Sequence, residues 1–160
     1  DSVEIDEMKY PIEVKAQHII EDSEGAGRFR GAPGAYVEYG PVAGPMEIIY
    51  TSDGTFNAPR GVRGGLDGAR AQQFRRTADG ALVPLDNFAR LVIQPGETVV
   101  SMCTGGGGYG PPEERDPFRV ARDVAEGWVS RGRAEQVYRV ALTEDFAVDE
   151  AATARLRAGG

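Results

Sequence analysis

The stretch Pro11-Ile-Glu-Val-Lys-Ala-Gln-His-Ile-Ile20 sets Ile12, Val14, Ala16, His18 and Ile20 on one side and Glu13, Lys15 and Gln17 on the other. A two-residue period marks a strand with one buried face, because successive side chains of an extended chain point to opposite faces. Working outward, 35–40, 46–52, 71–76, 81–84, 88–93 and 97–103 are short β-branched or aromatic segments separated by turn residues such as Asp79-Gly80, Asp86-Asn87 and Pro95-Gly96. The close succession of 35–40 and 46–52 across Gly-Pro-Val-Ala-Gly-Pro predicts a meander. Helical signals come only after residue 115. Asp116 suits an N-cap, Pro117 suits the first helical position, and Val120, Ala121, Val124 and Trp128 recur at helical spacing, predicting a helix over 117–127. Ser130 and Asp149 are caps for short helices over 130–138 and 150–157, with a last strand at 139–142 between them. Strands first and helices later predict an α+β fold: a β-rich meander or sandwich core with Gly-rich loops, then two or three short helices.

The chain has 160 residues, which suits a single domain over 1–160. Its 22 Gly and 10 Pro make one residue in five a turn former, so long helices are not expected. Net charge is −7, and Lys and Arg are not clustered, so phosphate-counterion release is a poor basis for binding and nucleic acid is excluded as a partner. No apolar run approaches the roughly 20 residues of a membrane helix, which leaves the cytoplasm as the default compartment and no membrane partner. One Cys and one His rule out an intrachain disulfide and any scheme needing two imidazoles. The chain starts Asp1-Ser2-Val3 without Met, which points to processing or to a piece of something longer.

Few residues invite chemistry. His18 lies on the apolar face of its strand with no ligand partner nearby in sequence, so a packed histidine bonded to a neighbour is expected. Cys103 ends an apolar strand with no local cation or helix N-terminus to activate it, so a buried thiol is expected. The run Thr104-Gly-Gly-Gly-Gly-Tyr-Gly110 suggests a phosphate loop, but Pro111-Pro112 removes two donors and Glu113, Glu114 and Asp116 add negative charge where an anion would sit. Four consecutive glycines still require a reason. Structural packing and the lining of a site by Gly105, Gly106, Gly107, Gly108 and Tyr109 both remain open. Arg28, Arg30, Arg60 and Arg63 are cations on Gly-rich loops, able to meet a carboxylate or to stand in solvent. Composition and spacing thus give a fold class and no reaction.

Longer patterns carry a resemblance. Asp-Ser-Val-Glu-Ile-Asp-Glu-Met-Lys-Tyr-Pro-Ile over 1–12, Asp22-Ser23 with Gly25-Ala-Gly-Arg-Phe-Arg-Gly31, and Ala58-Pro59 with Gly61, Gly64-Gly65 and Gly68 resemble the C-terminal region of the hydantoinase B or oxoprolinase family. The sharpest segment is Gly105-Gly-Gly-Gly-Tyr-Gly-Pro111, followed by Glu114-Arg-Asp-Pro117, Asp123-Val124, Glu126-Gly127, Val129-Ser130, Ala134 and Tyr138. Arg60, Arg63, Pro112 and Arg139 depart from the pattern, Arg139 standing where a Gly usually follows the Tyr.

The resemblance implies an ATP-dependent amidohydrolase that opens a cyclic amide such as a hydantoin, oxoproline or lactam. It implies that a hydantoinase A-type subunit binds ATP and Mg and phosphorylates the amide oxygen. It also implies a divalent metal held in an N-terminal region of the same subunit that is missing from these 160 residues. This chain would then contribute no catalytic residue and no metal ligand, and would be inactive alone. Arg28, Arg30 and Gly105 to Tyr109 would line the site or an interface. Two rivals stand beside this reading: part of an ATP-dependent ketone carboxylase of the same family, and a non-catalytic structural or interaction domain.

Overall fold

The computed structural model describes residues 2–159 and divides into two compact units, each built from interleaved segments of the chain. The first takes the residues up to His18, then Ala35–Asn57 and Arg70–Cys103; the second takes Ile19–Gly34, Ala58–Ala69 and Thr104 onward.

The first unit carries the strands: β1 (Ile12–Ile19), β2 (Ala35–Pro41), β3 (Met46–Thr51), β4 (Gln72–Arg76), β5 (Leu82–Pro84), β6 (Phe88–Ile93) and β7 (Thr98–Met102). Along β1 the expected alternation holds, with Ile12, Val14 and Ala16 half-buried and Glu13, Lys15 and Gln17 exposed. The strands do not follow one another as a meander. One sheet runs β1-β2-β7-β4-β5 and a separate ribbon pairs β3 with β6. β7, last in sequence, lies at the centre, antiparallel to β2 with Tyr39 opposite Val99 and to β4 with Phe74 opposite Val100. The reason is burial. Val99 and Val100 are both fully buried, and consecutive residues of a strand face opposite sides, so β7 needs cover on both faces and a neighbour on each edge. Tyr50 on β3 and Ser101 on β7 share a hydroxyl hydrogen bond of 2.5 Å, tying the ribbon to the sheet.

A helix the sequence did not announce, α1 (Val3–Lys9), precedes β1. It has acids in its first turn and Lys9 in its last, which favours the helix dipole, but it buries no residue. Without a buried stripe there is no apolar period to read.

The second unit holds the later helices α2 (Pro117–Ala125), α3 (Arg131–Gln136) and α4 (Glu150–Ala158), close to the expected ranges. The α+β class stands. Asp116 caps α2 by accepting from the Phe118 N–H at 2.9 Å. Gly127, at φ 71°, closes it: its own N–H reaches the Val124 carbonyl and the Trp128 N–H reaches back to Asp123. That pair of bonds is the Schellman arrangement, so Gly127 ends the helix. Val120 and Val124 then join Ala26, Val129, Ala134, Tyr138 and Val140 in the unit's core. The strand expected at 139–142 does not form. Arg139 takes φ 55°, which breaks an extended path, and only an isolated bridge between Leu142 and Val148 remains.

Two side chains differ from expectation. His18 is exposed, with its ring stacked on Tyr36 at 4.6 Å between centroids, because the burial of β1 fades toward its end. Cys103 is exposed as well, one residue past the end of β7.

Candidate functional site

Three glycine-rich segments of the second unit, around 23–32, 59–69 and 104–110, are stitched to one another by backbone hydrogen bonds. The Gly25 N–H donates to Gly106 O at 2.7 Å, Leu66 N–H to Ala26 O at 2.7 Å, and Gly108 N–H to Leu66 O at 2.9 Å. A side chain on the run has nowhere to go. A Cβ on Gly105 would overlap the Ser23 carbonyl, one on Gly107 the Arg60 carbonyl, and one on Gly108 the Ala26 carbonyl. The four glycines therefore have a packing reason. Most amides along the run are also engaged: besides Gly108, Gly105 donates to Ala69 O, Gly106 to Ala32 O, Tyr109 to Phe29 O and Gly110 to Val62 O, at 2.8–3.1 Å. A phosphate cradle needs such amides free and convergent, so this loop does not fit the phosphates of ATP.

Arg28 and Arg30, the two arginines expected at a site or interface, have different surroundings. Arg30 is turned inward: Nη2 donates to Asp123 Oδ1 at 2.9 Å, Nη1 to the Gly31 carbonyl, and the guanidinium lies 4.9 Å from the Trp128 ring centre. Burial pulls its pKa down, but the Asp123 hydrogen bond and charge outweigh this and leave it above its ordinary value. Arg28 is turned outward, near Glu114 at 3.7 Å and over the Phe29 ring. Tyr109 is partly exposed beside Phe29, with Arg63 over its ring at 5.6 Å. Arg28, Phe29, Arg63 and Tyr109 thus come together at the surface, and Arg30 leaves them.

Beneath the weave sit charges that no local pattern announced. Glu24 is 1% exposed, and its Oε1 accepts from Arg133 Nε at 2.8 Å and from the Tyr138 hydroxyl at 2.9 Å. Burial, with Glu24 beside it, pushes the Tyr138 phenol strongly upward, so it stays a donor. Asp123 accepts from Arg30 on one oxygen and from Arg115 Nε and Nη2 on the other. Each acid is more than ninety residues from at least one of its arginines in sequence. Their only sequence signal is a position within or beside glycine-rich or apolar stretches.

The donor set does not fit the divalent metal that the resemblance implies. Among the described residues no group of three or more His, Cys, Asp or Glu is placed to hold a metal ion, and the single His stacks on Tyr36 at the surface. No helix among them is long and apolar enough to cross a membrane.

Comparison with known proteins gives the chain a family. The sequence profile described as hydantoinase B/oxoprolinase matches residues 1–112. The chain belongs to the hydantoinase B/oxoprolinase family. Caprolactamase subunit beta of Pseudomonas jessenii is 33% identical over 160 residues, covering 98% of this chain and 28% of that protein. The crystal structure of the ATP-dependent caprolactamase from Pseudomonas jessenii superposes with a TM-score of 0.80 at 30% identity, covering 98% of this chain and 28% of that one. A nucleotide-free acetone carboxylase structure gives 0.76 at 22% identity, with 99% and 26% covered, a likeness of fold. The chain spans just over a quarter of the length of these relatives.

Proposed function

We propose that this chain is part of a subunit of an ATP-dependent amidohydrolase that opens a cyclic amide such as a hydantoin, oxoproline or lactam, together with a separate hydantoinase A-type subunit that binds ATP. The observation that carries this is the 33% identity to a caprolactamase subunit over 98% of the chain. In this reading ATP and Mg belong to the partner subunit, and a divalent metal to sequence outside these residues. The engaged amides of Gly105, Gly106, Gly108, Tyr109 and Gly110 and the scattered metal-ligand types among the described residues favour a supporting part for this chain. It would frame the assembly, and the reacting groups would come from elsewhere.

Ketone carboxylation is the second reading, favoured by the fold shared with acetone carboxylase. The hydrolase stands ahead because its relative shares both fold and 30% of the aligned residues. A non-catalytic interaction domain is the third, favoured by a glycine run filled by the chain's own backbone. The test is to produce the full-length subunit with its ATP-binding partner and measure ATP consumption and ring opening with caprolactam, hydantoin and 5-oxoproline, against acetone with bicarbonate. Consumption only with the ketone would replace hydrolase by carboxylase. Turnover by residues 1–160 alone would defeat the supporting part assigned to them.

A further inference from the structure

We propose that the exposed patch formed by Arg28, Phe29, Val62, Arg63 and Tyr109 is a docking surface for a carboxylate-bearing segment of a second subunit. The inference rests on the reading that this chain works in a multi-subunit enzyme, and it names the face that meets the partner.

The patch is apolar at its centre and cationic at its edges. Phe29 is 54% exposed, Val62 54% and Tyr109 41%. The rings of Phe29 and Tyr109 lie 6.3 Å apart, tilted by 51°, with the Arg28 guanidinium 5.6 Å from the first and Arg63 5.6 Å from the second. Arginine and aromatic residues are the types enriched at subunit contacts, where large rings give area and guanidinium groups give direction.

The cations lack strong partners of their own. Arg28 has Glu114 at 3.7 Å, but both side chains are more than half exposed, so the pair contributes little. Among the described residues no carboxylate lies within ion-pair distance of Arg63. In a chain of net charge −7, two guanidinium groups flanking bare rings complement an acidic side chain set beside an apolar one.

The backbone beneath is fixed before any partner arrives. Phe29 and Tyr109 exchange N–H···O bonds of 3.0 and 2.9 Å, and Val62 is tied to Gly108 and Gly110. Arg63 is held at φ 51°, a region a bulky L-residue avoids, and strain of this kind persists where the surroundings impose it. Docking then orders little beyond the two arginine side chains, which lowers the cost of association.

The test uses the full-length subunit and its separately purified ATP-binding subunit. In Arg28→Gln/Arg63→Asn, asparagine at 63 tolerates the left-handed backbone. The expected result is a Kd raised about tenfold or more, with a flatter dependence on salt and an unchanged subunit Tm. An unchanged Kd would remove the patch while leaving the multi-subunit reading in place. A clear fall in subunit Tm would show the patch folded inside its own subunit, and loss of self-association alone would hand it to a second copy; either overturns the proposal. If the wild-type subunits do not associate, the underlying reading falls as well.

Discussion

Arg133 Nε donates to Glu24 Oε1 at 2.8 Å, joining residues 109 apart in the sequence inside the second unit. The carboxylate is 1% exposed and has two donors, Arg133 and Tyr138, on one oxygen. Removing one partner of a buried ion pair leaves an uncompensated charge, so Arg133→Ala is expected to cost about 3–5 kcal/mol, measured by urea unfolding. Tyr138→Phe keeps the ring's packing and removes only the donated hydroxyl, so it is expected to cost about 1.5–3 kcal/mol. The reverse order would show that the hydroxyl, and not the charge, holds Glu24.

Asp123 serves two arginines at once, Arg30 at 2.9 Å and Arg115 at 2.8 Å, and all three side chains are at most 14% exposed. Asp123→Ala strands both cations and is expected to be more damaging than Arg30→Ala, by roughly 1–2 kcal/mol within the 3–5 kcal/mol range for broken buried pairs. Chemical denaturation of the two variants side by side decides it. Equal losses would mean that Arg115 gains nothing from Asp123.

Gly107 and Gly44 form a contrast. A Cβ on Gly107 would overlap the Arg60 carbonyl, whereas one on Gly44 would meet nothing within 4 Å. Gly107→Ala is therefore expected to destabilise by about 1–3 kcal/mol or more, because the obstacle is backbone and cannot rotate away. Gly44→Ala is expected within about 0.5 kcal/mol of wild type. Thermal unfolding of both separates packing from the mere presence of a glycine; a tolerated Gly107→Ala would reopen the question of what the run is for.

The strands and α2 were legible because each carries its own period and punctuation: alternation in β1, and Asp116-Pro117 with Val120 and Val124 in α2. The crossing of β7 to the centre was not, since pairing partners such as Tyr39 and Val99 are 60 residues apart and no local pattern encodes them. α1 escaped notice because it buries nothing and so needs no apolar stripe. The packing reason for Gly105 to Gly108 was one of two readings open in the sequence, and the geometry supplies it. Glu24 and Asp123 looked like ordinary acids, because burial of a charge depends on a distant arginine that spacing does not reveal. The resemblance, in contrast, drew on order along the whole chain, which is why the family was accessible when the pairs were not.

Glu38 on β2 accepts from Arg76 Nε at 2.8 Å, from Thr98 at 2.6 Å and from Tyr36 at 2.6 Å. The Arg76 hydrogen bond is the main cause that lowers its pKa from 4.5 to about 2. A carboxylate depressed in the folded state adds stability that is full above its unfolded value and is lost as pH falls through its folded one. Wild type should thus lose stability between about pH 4.5 and 2, by roughly 1–2 kcal/mol from this group once solvent screening at Arg76 is allowed for. Glu38→Gln should lower stability at pH 7 and flatten that part of the acid limb. An acid limb identical to wild type would assign acid sensitivity to other carboxylates.

Arg139 takes φ 55°, directly after the buried Tyr138, at a position where the family pattern led us to expect glycine. An L-residue there brings its Cβ close to the following carbonyl, at a cost of about 1–2 kcal/mol that glycine does not incur. Glycine loses more freedom on folding, which takes back about 0.5–1 kcal/mol. Arg139→Gly is therefore expected to be stabilising by about 0.5–1 kcal/mol, and Arg139→Val, β-branched and without the guanidinium, to be destabilising. Urea midpoints for the two variants measure it. If Arg139→Gly were clearly destabilising, the guanidinium would be making a favourable contact that outweighs the strain of its backbone.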